Sequence, residues 1–205
     1  MRNGRPTGAV TIVTTPCPDG GAVVSLTGAE VRDSIERMFV LGIDPGLSRC
    51  GYGIVTRRDS KLVAVAAGVI STAPTVPLHQ RLRVLSDELR ALMAEYRPEA
   101  VVVERVFFQV NARTAMATAM AAGVALVAAA EAECEVAQYT SNEVKVALVG
   151  YGGATKDQVQ RMVASVLGLA EPPRPPDVAD ALALAACYLT SQPLRRAVAA
   201  AGGPS

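Results

Sequence analysis

The sequence predicts one layered domain of the α/β or α+β class, built around a mixed β-sheet. Three short apolar runs lie between residues 38 and 70, separated by turn residues and charges, which is typical of an antiparallel meander. From residue 78 onward, helical and strand-like segments alternate, as in sheets whose strands are joined by helices. With 205 residues, 50% of them hydrophobic, the chain is long enough to form one such domain with a large core.

The meander is expected to contain strands over Met38–Ile43, Gly51–Thr56 and Leu62–Ile70. The next element is an amphipathic helix, because leucines recur at intervals of four and three residues and Pro77 suits the first helical position. The leucines that form this apolar stripe are Leu78, Leu82, Leu85, Leu89 and Leu92.

The second half of the chain adds two strands and four helices. Strands are predicted over Ala100–Val103 and Cys134–Gln138, and an alanine-rich helix over Asn111–Ala132 lies between them. Two capping boxes predict helix starts, and a proline-rich loop precedes a last helix that begins with acidic residues. These boxes are Thr140 with Glu143 and Thr155 with Gln158, and the last helix is predicted over Asp177–Thr190.

Residues 1–37 differ from the rest, because they are rich in Gly, Thr and Pro up to residue 28 and contain only short strand-like fragments. We expect an N-terminal extension that is disordered or is the product of an upstream start codon, rather than a folded subdomain. The domain itself is expected over residues 38–191, followed by a flexible C-terminal tail over residues 192–205.

Composition excludes several classes of function. Lys and Arg number 20 and Asp and Glu 19, so the net charge is +1 and a nucleic-acid partner must be held by locally placed charge. The single histidine, His79, makes histidine-based catalysis and His-rich metal sites improbable. The 4 cysteines are far apart and predict neither a zinc site nor a disulfide framework. We find no Gly-x-Ser-x-Gly elbow and no Walker loop.

Two long uncharged stretches, residues 62–80 and 114–130, are too interrupted or too rich in alanine to span a bilayer. The N-terminus shows no basic segment followed by a solid apolar one, so no secretory signal is recognised. The expected location is therefore the cytoplasm, with no membrane partner.

Four carboxylates stand at positions suited to chemistry. Asp44 and Glu104 each follow a buried strand, and Asp177 and Asp180 share one face of a helix start. Each has an ordinary structural interpretation, as turn chemistry, a solvent-facing strand end or helix capping. Together they predict an all-oxygen cluster, which selects Mg²⁺ or Mn²⁺ because a cation relieves the repulsion between the carboxylates.

These residues lie in motifs that resemble the RuvC family of crossover junction endodeoxyribonucleases. The resemblance extends from Met38 to about Thr190, and its motifs occur in order at compatible spacing. It implies a ribonuclease-H-like α/β fold, a mixed five-stranded sheet flanked by helices. The matching segments are Gly42–Ser48, Gly51–Gly53, Glu104–Phe108, Asn111, Ala121–Ala125, Val144–Lys145, Lys156–Val159 and Asp177–Ala183.

The resemblance also implies an activity, namely metal-dependent resolution of four-way (Holliday) DNA junctions during recombination and repair. Asp44, Glu104, Asp177 and Asp180 would be both the catalytic residues and the ligands of two Mg²⁺ ions, for which Mn²⁺ would substitute. Some relatives carry a histidine where this chain has Asp177. The products would have 5′-phosphate and 3′-hydroxyl ends.

Candidate DNA contacts follow from the same resemblance. Phe107 and Phe108, two of only 3 Phe in the chain, would stack on or wedge between bases, Phe107 being the better candidate, although burial at a strand end explains them equally well. Lys145 and Lys156 match family lysines that face DNA. Further phosphate contacts could come from Arg105, Arg113 and Arg161, although such residues are more often solvated surface charges.

A homodimer is implied because a four-way junction has two-fold symmetry and is cut at two opposed points. A branch-migration helicase complex is a second implied partner.

One alternative is another ribonuclease-H-like nuclease that cuts RNA hybrids or duplex DNA. An actin- or sugar-kinase-like ATPase would need about twice this length and a second phosphate loop, and a non-catalytic junction-binding module would lack at least one of the acids.

Overall fold

The structure is a computed structural model that describes the backbone of residues 11–16, 22–27, 38–105 and 112–200, and the side-chain environment of residues 38–105 and 115–192. It contains one five-stranded and one two-stranded sheet. The strands are β1 (Thr11–Pro16), β2 (Ala22–Thr27), β3 (Phe39–Asp44), β4 (Arg49–Arg58), β5 (Lys61–Ser71), β6 (Ala100–Glu104) and β7 (Glu135–Tyr139).

The five-stranded sheet has the order β5-β4-β3-β6-β7 and is mixed, as predicted. β3, β4 and β5 form the predicted antiparallel meander, in which Asp44 pairs with Gly51. β6 lies parallel to β3 on its other side, and β7 lies parallel to β6. The central strands β3 and β6 therefore end at the same edge of the sheet.

Five helices connect or cover these strands, and each begins within two residues of its predicted start. Both predicted capping boxes are present, with the Thr140 hydroxyl accepting from Glu143 N at 3.0 Å and the Thr155 hydroxyl from Gln158 N at 3.3 Å. Pro77 is the residue before the first helix rather than its first residue. The helices are α1 (Leu78–Tyr96), α2 (Ala112–Glu131), α3 (Ser141–Val149), α4 (Lys156–Leu167) and α5 (Pro176–Ala200).

Helix α5 continues ten residues beyond its predicted end at Thr190, through Pro193. Proline lacks the N–H that would bond to the carbonyl four residues earlier, here that of Leu189. Arg57 Nη2 donates to this carbonyl oxygen at 2.7 Å. An arginine from β4 thus satisfies the acceptor that the proline leaves open, which lets the helix continue.

Each face of the large sheet has its own apolar core, because successive side chains of a strand point to opposite faces. Leu41 and Ile43 pack with Leu85 and Leu89 on the face covered by α1 and α2. Val40 lies in the other core, which is covered by α3, α4 and α5 and includes Val102 of β6, Leu182 and Tyr188. Asp44 lies four residues after Val40 on β3, so its side chain points to the same face of the sheet as that of Val40, toward α5.

Helix α5 lies unusually close to the sheet because glycines face it. A Cβ atom on Gly42 would overlap with the carbonyl oxygen of Ala181, and one on Gly51 would overlap with that of Asp177. Any other residue at these positions would push the helix away. The glycines thereby bring the first turns of α5 to the strand ends where Asp44 and Glu104 lie.

Strands β1 and β2, inside the predicted N-terminal extension, pair antiparallel with each other. The predicted boundaries of the extension, the domain and the C-terminal tail stay predictions. Among the helices that the structure describes, none is both long and apolar enough to cross a bilayer.

Candidate active site

Asp44 and Glu104 lie side by side at the carboxyl ends of β3 and β6. These strands are parallel and pair Ile43 with Val103, so the residue that follows in each is an acid. Both side chains face α5, and their carboxyl groups share a hydrogen bond. The predicted convergence of two strand-end acids is thus a direct result of the sheet register.

Asp180 of α5 completes a group of three carboxyl groups around one cleft. The cleft has a volume of about 200 Å³ and lies between the strand ends and the three C-terminal helices. Acidic, basic and apolar side chains all line it. They belong to Asp44, Glu104, Ser141, Val144, Lys145, Lys156, Val159, Asp180, Ala183 and Leu184.

Two lysines place positive charge beside these acids. Lys156 is the first residue of α4, after the Thr155 cap, and its Nζ lies 3.8 Å from Asp180 Oδ2. Lys145 of α3 lines the same cleft. The two lysines that the sequence predicted to face DNA therefore line the same cleft as the three acids.

Burial and mutual repulsion raise the pKa values of the clustered acids. The pKa of Asp44 rises to about 8, chiefly because the group is desolvated and secondly because Glu104 and Asp180 are close. Desolvation also raises the pKa values of Glu104 and Asp180, although Lys156 acts in the opposite direction on both. These carboxyl groups share buried negative charge that protons or cations must balance.

The donor set fits a hard divalent cation, because it consists of carboxylate oxygens whose charge is only partly compensated. Within the part of the chain whose side chains are described, however, no three His, Cys, Asp or Glu side chains already form a metal-binding group. Of the four predicted acids, Asp177 is the one that stands apart, because it does not line the cleft.

Asp177 lies next to the cluster but does not line the cleft. Its Oδ2 accepts hydrogen bonds from Arg49 Nη2 at 2.8 Å and from Arg49 Nε at 3.2 Å. Asp177 is still near enough to raise the pKa values of Asp44 and Asp180. The sequence thus predicted the neighbourhood of all four acids, and the structure gathers three of them in the cleft.

Sequence reasoning missed Arg49. The feature of the sequence that could have indicated it is a lone positive charge five residues after Asp44, at the start of β4, the strand that pairs antiparallel with β3. Arg81 was missed as well. Its Nη2 donates to Ser48 Oγ at 2.7 Å and its Nε to Thr72 Oγ1 at 2.9 Å, so it fixes the loop between Asp44 and β4.

Arg105 and Arg161, the two other predicted DNA contacts whose side chains the structure describes, do not line the cleft. Arg105 is exposed, and its Nη2 donates to the Gln138 carbonyl oxygen at 3.3 Å. Arg161 is also exposed, and its Nε donates to the carbonyl oxygen of Asp157 at 3.3 Å. Phe107 and Phe108 lie outside the described residues, and so does the side chain of Arg113 at the start of α2.

Comparison with known proteins gives consistent matches over this fold. The family described as crossover junction endodeoxyribonuclease RuvC matches residues 40–188. The crossover junction endodeoxyribonuclease RuvC of Leifsonia xyli subsp. xyli is 53% identical over 150 residues, which cover 73% of this chain and 72% of that protein. The protein of the same name from Salinispora arenicola is 50% identical over 165 residues, covering 80% and 94%.

Among solved structures, Thermus thermophilus RuvC in complex with Holliday junction substrate matches with a TM-score of 0.74. It is 38% identical to this chain, and the match covers 77% of this chain and 96% of the other. The family match over residues 40–188 contains all four candidate acids and both lysines of the cleft. The chain therefore belongs to the RuvC family of crossover junction endodeoxyribonucleases, which have a ribonuclease-H-like fold.

Proposed function

We propose that this protein is a structure-specific endonuclease that resolves four-way (Holliday) DNA junctions in recombination and repair by metal-dependent phosphodiester hydrolysis. The observation that carries the proposal is the cleft in which Asp44, Glu104 and Asp180 meet beside Lys145 and Lys156. A buried carboxylate cluster next to lysines suits a phosphodiester, whose own negative charge must be balanced when it enters such a site.

Asp44, Glu104 and Asp180 are proposed as ligands of Mg²⁺, with Asp177 as the fourth, two ions per site and Mn²⁺ as a substitute. When bound, the ions would polarise the phosphodiester and activate water for attack, leaving 5′-phosphate and 3′-hydroxyl ends. The raised pKa values support this assignment, because a nearby cation favours the charged form of each carboxyl group and removes the cost of ionising it.

The protein's own residues bind and orient the DNA. Lys156 and Lys145 are proposed to hold phosphates at the cleft. Arg105, which directly follows β6, adds positive charge near Glu143 of α3. Arg113 is a further proposed phosphate contact. Phe107 and Phe108 follow Glu104 in sequence, and we propose that they contact the bases at the branch point.

A homodimer is supported by an uncovered apolar face on α2. From Met116 to Ala130 the exposed positions of this helix recur every three or four residues, so they form one stripe along it. Met116 and Val127 on this stripe are each 56% exposed, while alanines on the opposite face pack against α1 and the sheet. The stripe consists of Met116, Met120, Gly123, Val127 and Ala130.

A second copy seated on this stripe would pair identical surfaces around a two-fold axis. That symmetry matches a four-way junction, in which two opposed strands are cut.

The branch-migration helicase is proposed as a partner from family resemblance alone. The cytoplasm is the proposed location, because the proposed substrate is cellular DNA.

The proposed substrate is tested by offering the wild-type protein a labelled four-way junction, its linear duplex arms and an RNA–DNA hybrid, each with Mg²⁺ and with EDTA. We expect paired, symmetric nicks in the junction, only with Mg²⁺, and little cutting of the other two. Equal cutting of linear duplex or hybrid would instead identify a general ribonuclease-H-like nuclease.

A further inference from the structure

Asp177, the one candidate acid that does not line the cleft, forms an ion pair with Arg49. Both hydrogen bonds of the Arg49 guanidinium to Asp177 end on the same oxygen, Oδ2, at 2.8 and 3.2 Å. The Arg49 side chain is 50% exposed and that of Asp177 is 26% exposed. By contrast, the Lys156 ammonium is 3.8 Å from Asp180, too far for a hydrogen bond.

The backbones on both sides of this ion pair are fixed. Arg49 is the first residue of β4, paired with Ser71, and Arg81 anchors Ser48 immediately before it. Asp177 lies in the first turn of α5, where its backbone packs directly against Gly51. Any exchange of partners by Asp177 must therefore come from side-chain rotation rather than from a shift of either element.

The Arg49 guanidinium and a divalent cation would compete for the same carboxylate. Two N–H groups occupy the lone pairs of Oδ2, so this oxygen is not free to coordinate a cation. A positive guanidinium beside the carboxylate also disfavours a second positive charge there. The other three acids have no arginine partner among the ion pairs of the described residues.

We propose that Arg49 is a positioning residue that competes with the divalent cation for Asp177 and thereby sets the cation concentration at which the site fills. The inference rests on the proposed metal site, which supplies the competitor. Arg49 acts through Asp177, so its effect must disappear when Asp177 can no longer ligate a cation. That dependence separates a specific competition from the general effect of one positive charge.

The test measures Mn²⁺ binding to the full-length protein without DNA, by calorimetric titration. Arg49→Gln should bind Mn²⁺ more tightly than wild type by up to about fivefold, the scale of a half-exposed ion pair. Arg49→Lys, which keeps the charge but loses the paired hydrogen bonds, should lie between them. The matched control is Arg83→Gln, because Arg83 pairs with Asp87 on the surface of α1 and its loss should leave Mn²⁺ affinity unchanged.

The decisive comparison repeats Arg49→Gln in an Asp177→Asn background, with thermal melting used to confirm that each variant is folded. There the Arg49 substitution should change Mn²⁺ affinity little. An equal gain in both backgrounds, or no gain with Asp177 present, would overturn the competition while leaving the nuclease proposal intact. Absence of Mn²⁺ binding by the wild type would overturn both the metal site and this inference.

Discussion

The carboxyl group of Asp44 shares a hydrogen bond with that of Glu104 at the ends of two neighbouring parallel strands. Both are largely removed from water, and Asp180 adds a third acid across the cleft. Burial and, secondly, the neighbouring Glu104 and Asp180 raise the pKa of Asp44 to about 8, so without a cation the cluster lowers its charge by keeping a proton. The arrangement costs folding free energy, and such clustered acids with raised pKa values are typical of a functional site.

The metal-free protein should lose stability as the pH rises because of Asp44. A carboxyl group whose pKa is raised from 3.8 to about 8 stabilises the folded state below pH 4 relative to higher pH, and this contribution is lost as the pH passes through about 8. Asp44→Asn removes that loss. In EDTA at pH 8 the variant should be more stable than wild type by at least about 1 kcal/mol, which raises Tm by roughly 2–4 °C.

Thermal melting of both proteins in EDTA from pH 5 to pH 8.5 checks this expectation. The difference in Tm should grow with pH. A constant difference, or a variant that is less stable at pH 8, would mean that Asp44 is not a strained carboxyl group in the folded protein.

Lys156 should contribute to junction binding through phosphate. Lys156→Ala should weaken junction binding in EDTA and reduce the slope of log Kd against log salt concentration by about 1, as expected for the loss of one phosphate contact. Lys61→Ala is the matched control, because Lys61 is exposed at the opposite end of the sheet. Equal effects of the two substitutions, measured by fluorescence anisotropy at several salt concentrations, would contradict a specific role for Lys156.

The apolar stripe on α2 should be the dimer contact. Val127→Glu would place a charge in a contact that excludes water, which is costly unless the charge is paired. Sedimentation should show a dimer for wild type and a monomer for this variant, with unchanged circular dichroism. A charge-introducing substitution of exposed Arg83 on α1, Arg83→Glu, should remain dimeric, and a dimeric Val127→Glu variant would exclude the stripe as the interface.

The antiparallel meander and the clustering of the strand-end acids could be predicted from sequence, because both depend on local patterns. Apolar runs mark the strands and therefore the residues at which they end. Successive side chains of β3 point to opposite faces of the sheet, so the position of Asp44 in the strand decides on which face it lies. The spacing of Asp177 and Asp180 predicted a shared helix face. It did not predict that only Asp180 lines the cleft, because Asp177 is paired with Arg49.

Long-range pairs are what the sequence could not provide. Arg49 and Asp177 are 128 residues apart, and their contact depends on how α5 is seated on the glycines of β3 and β4. The same holds for Arg57, whose bond to the Leu189 carbonyl lets α5 continue past a proline that would ordinarily end a helix. Such contacts follow from tertiary packing and leave no local pattern.

The most direct test of the central claim compares Asp44→Asn with wild type and with Asp87→Asn, an exposed acid on α1. Each is assayed for binding a four-way junction in EDTA and for cutting it with Mg²⁺. We predict that Asp44→Asn binds the junction as wild type does but cuts it at least about a hundredfold more slowly, since loss of one ligand disturbs cation placement. Asp87→Asn should cut normally, and cutting by Asp44→Asn at the wild-type rate would show that this carboxylate cluster is not the catalytic centre.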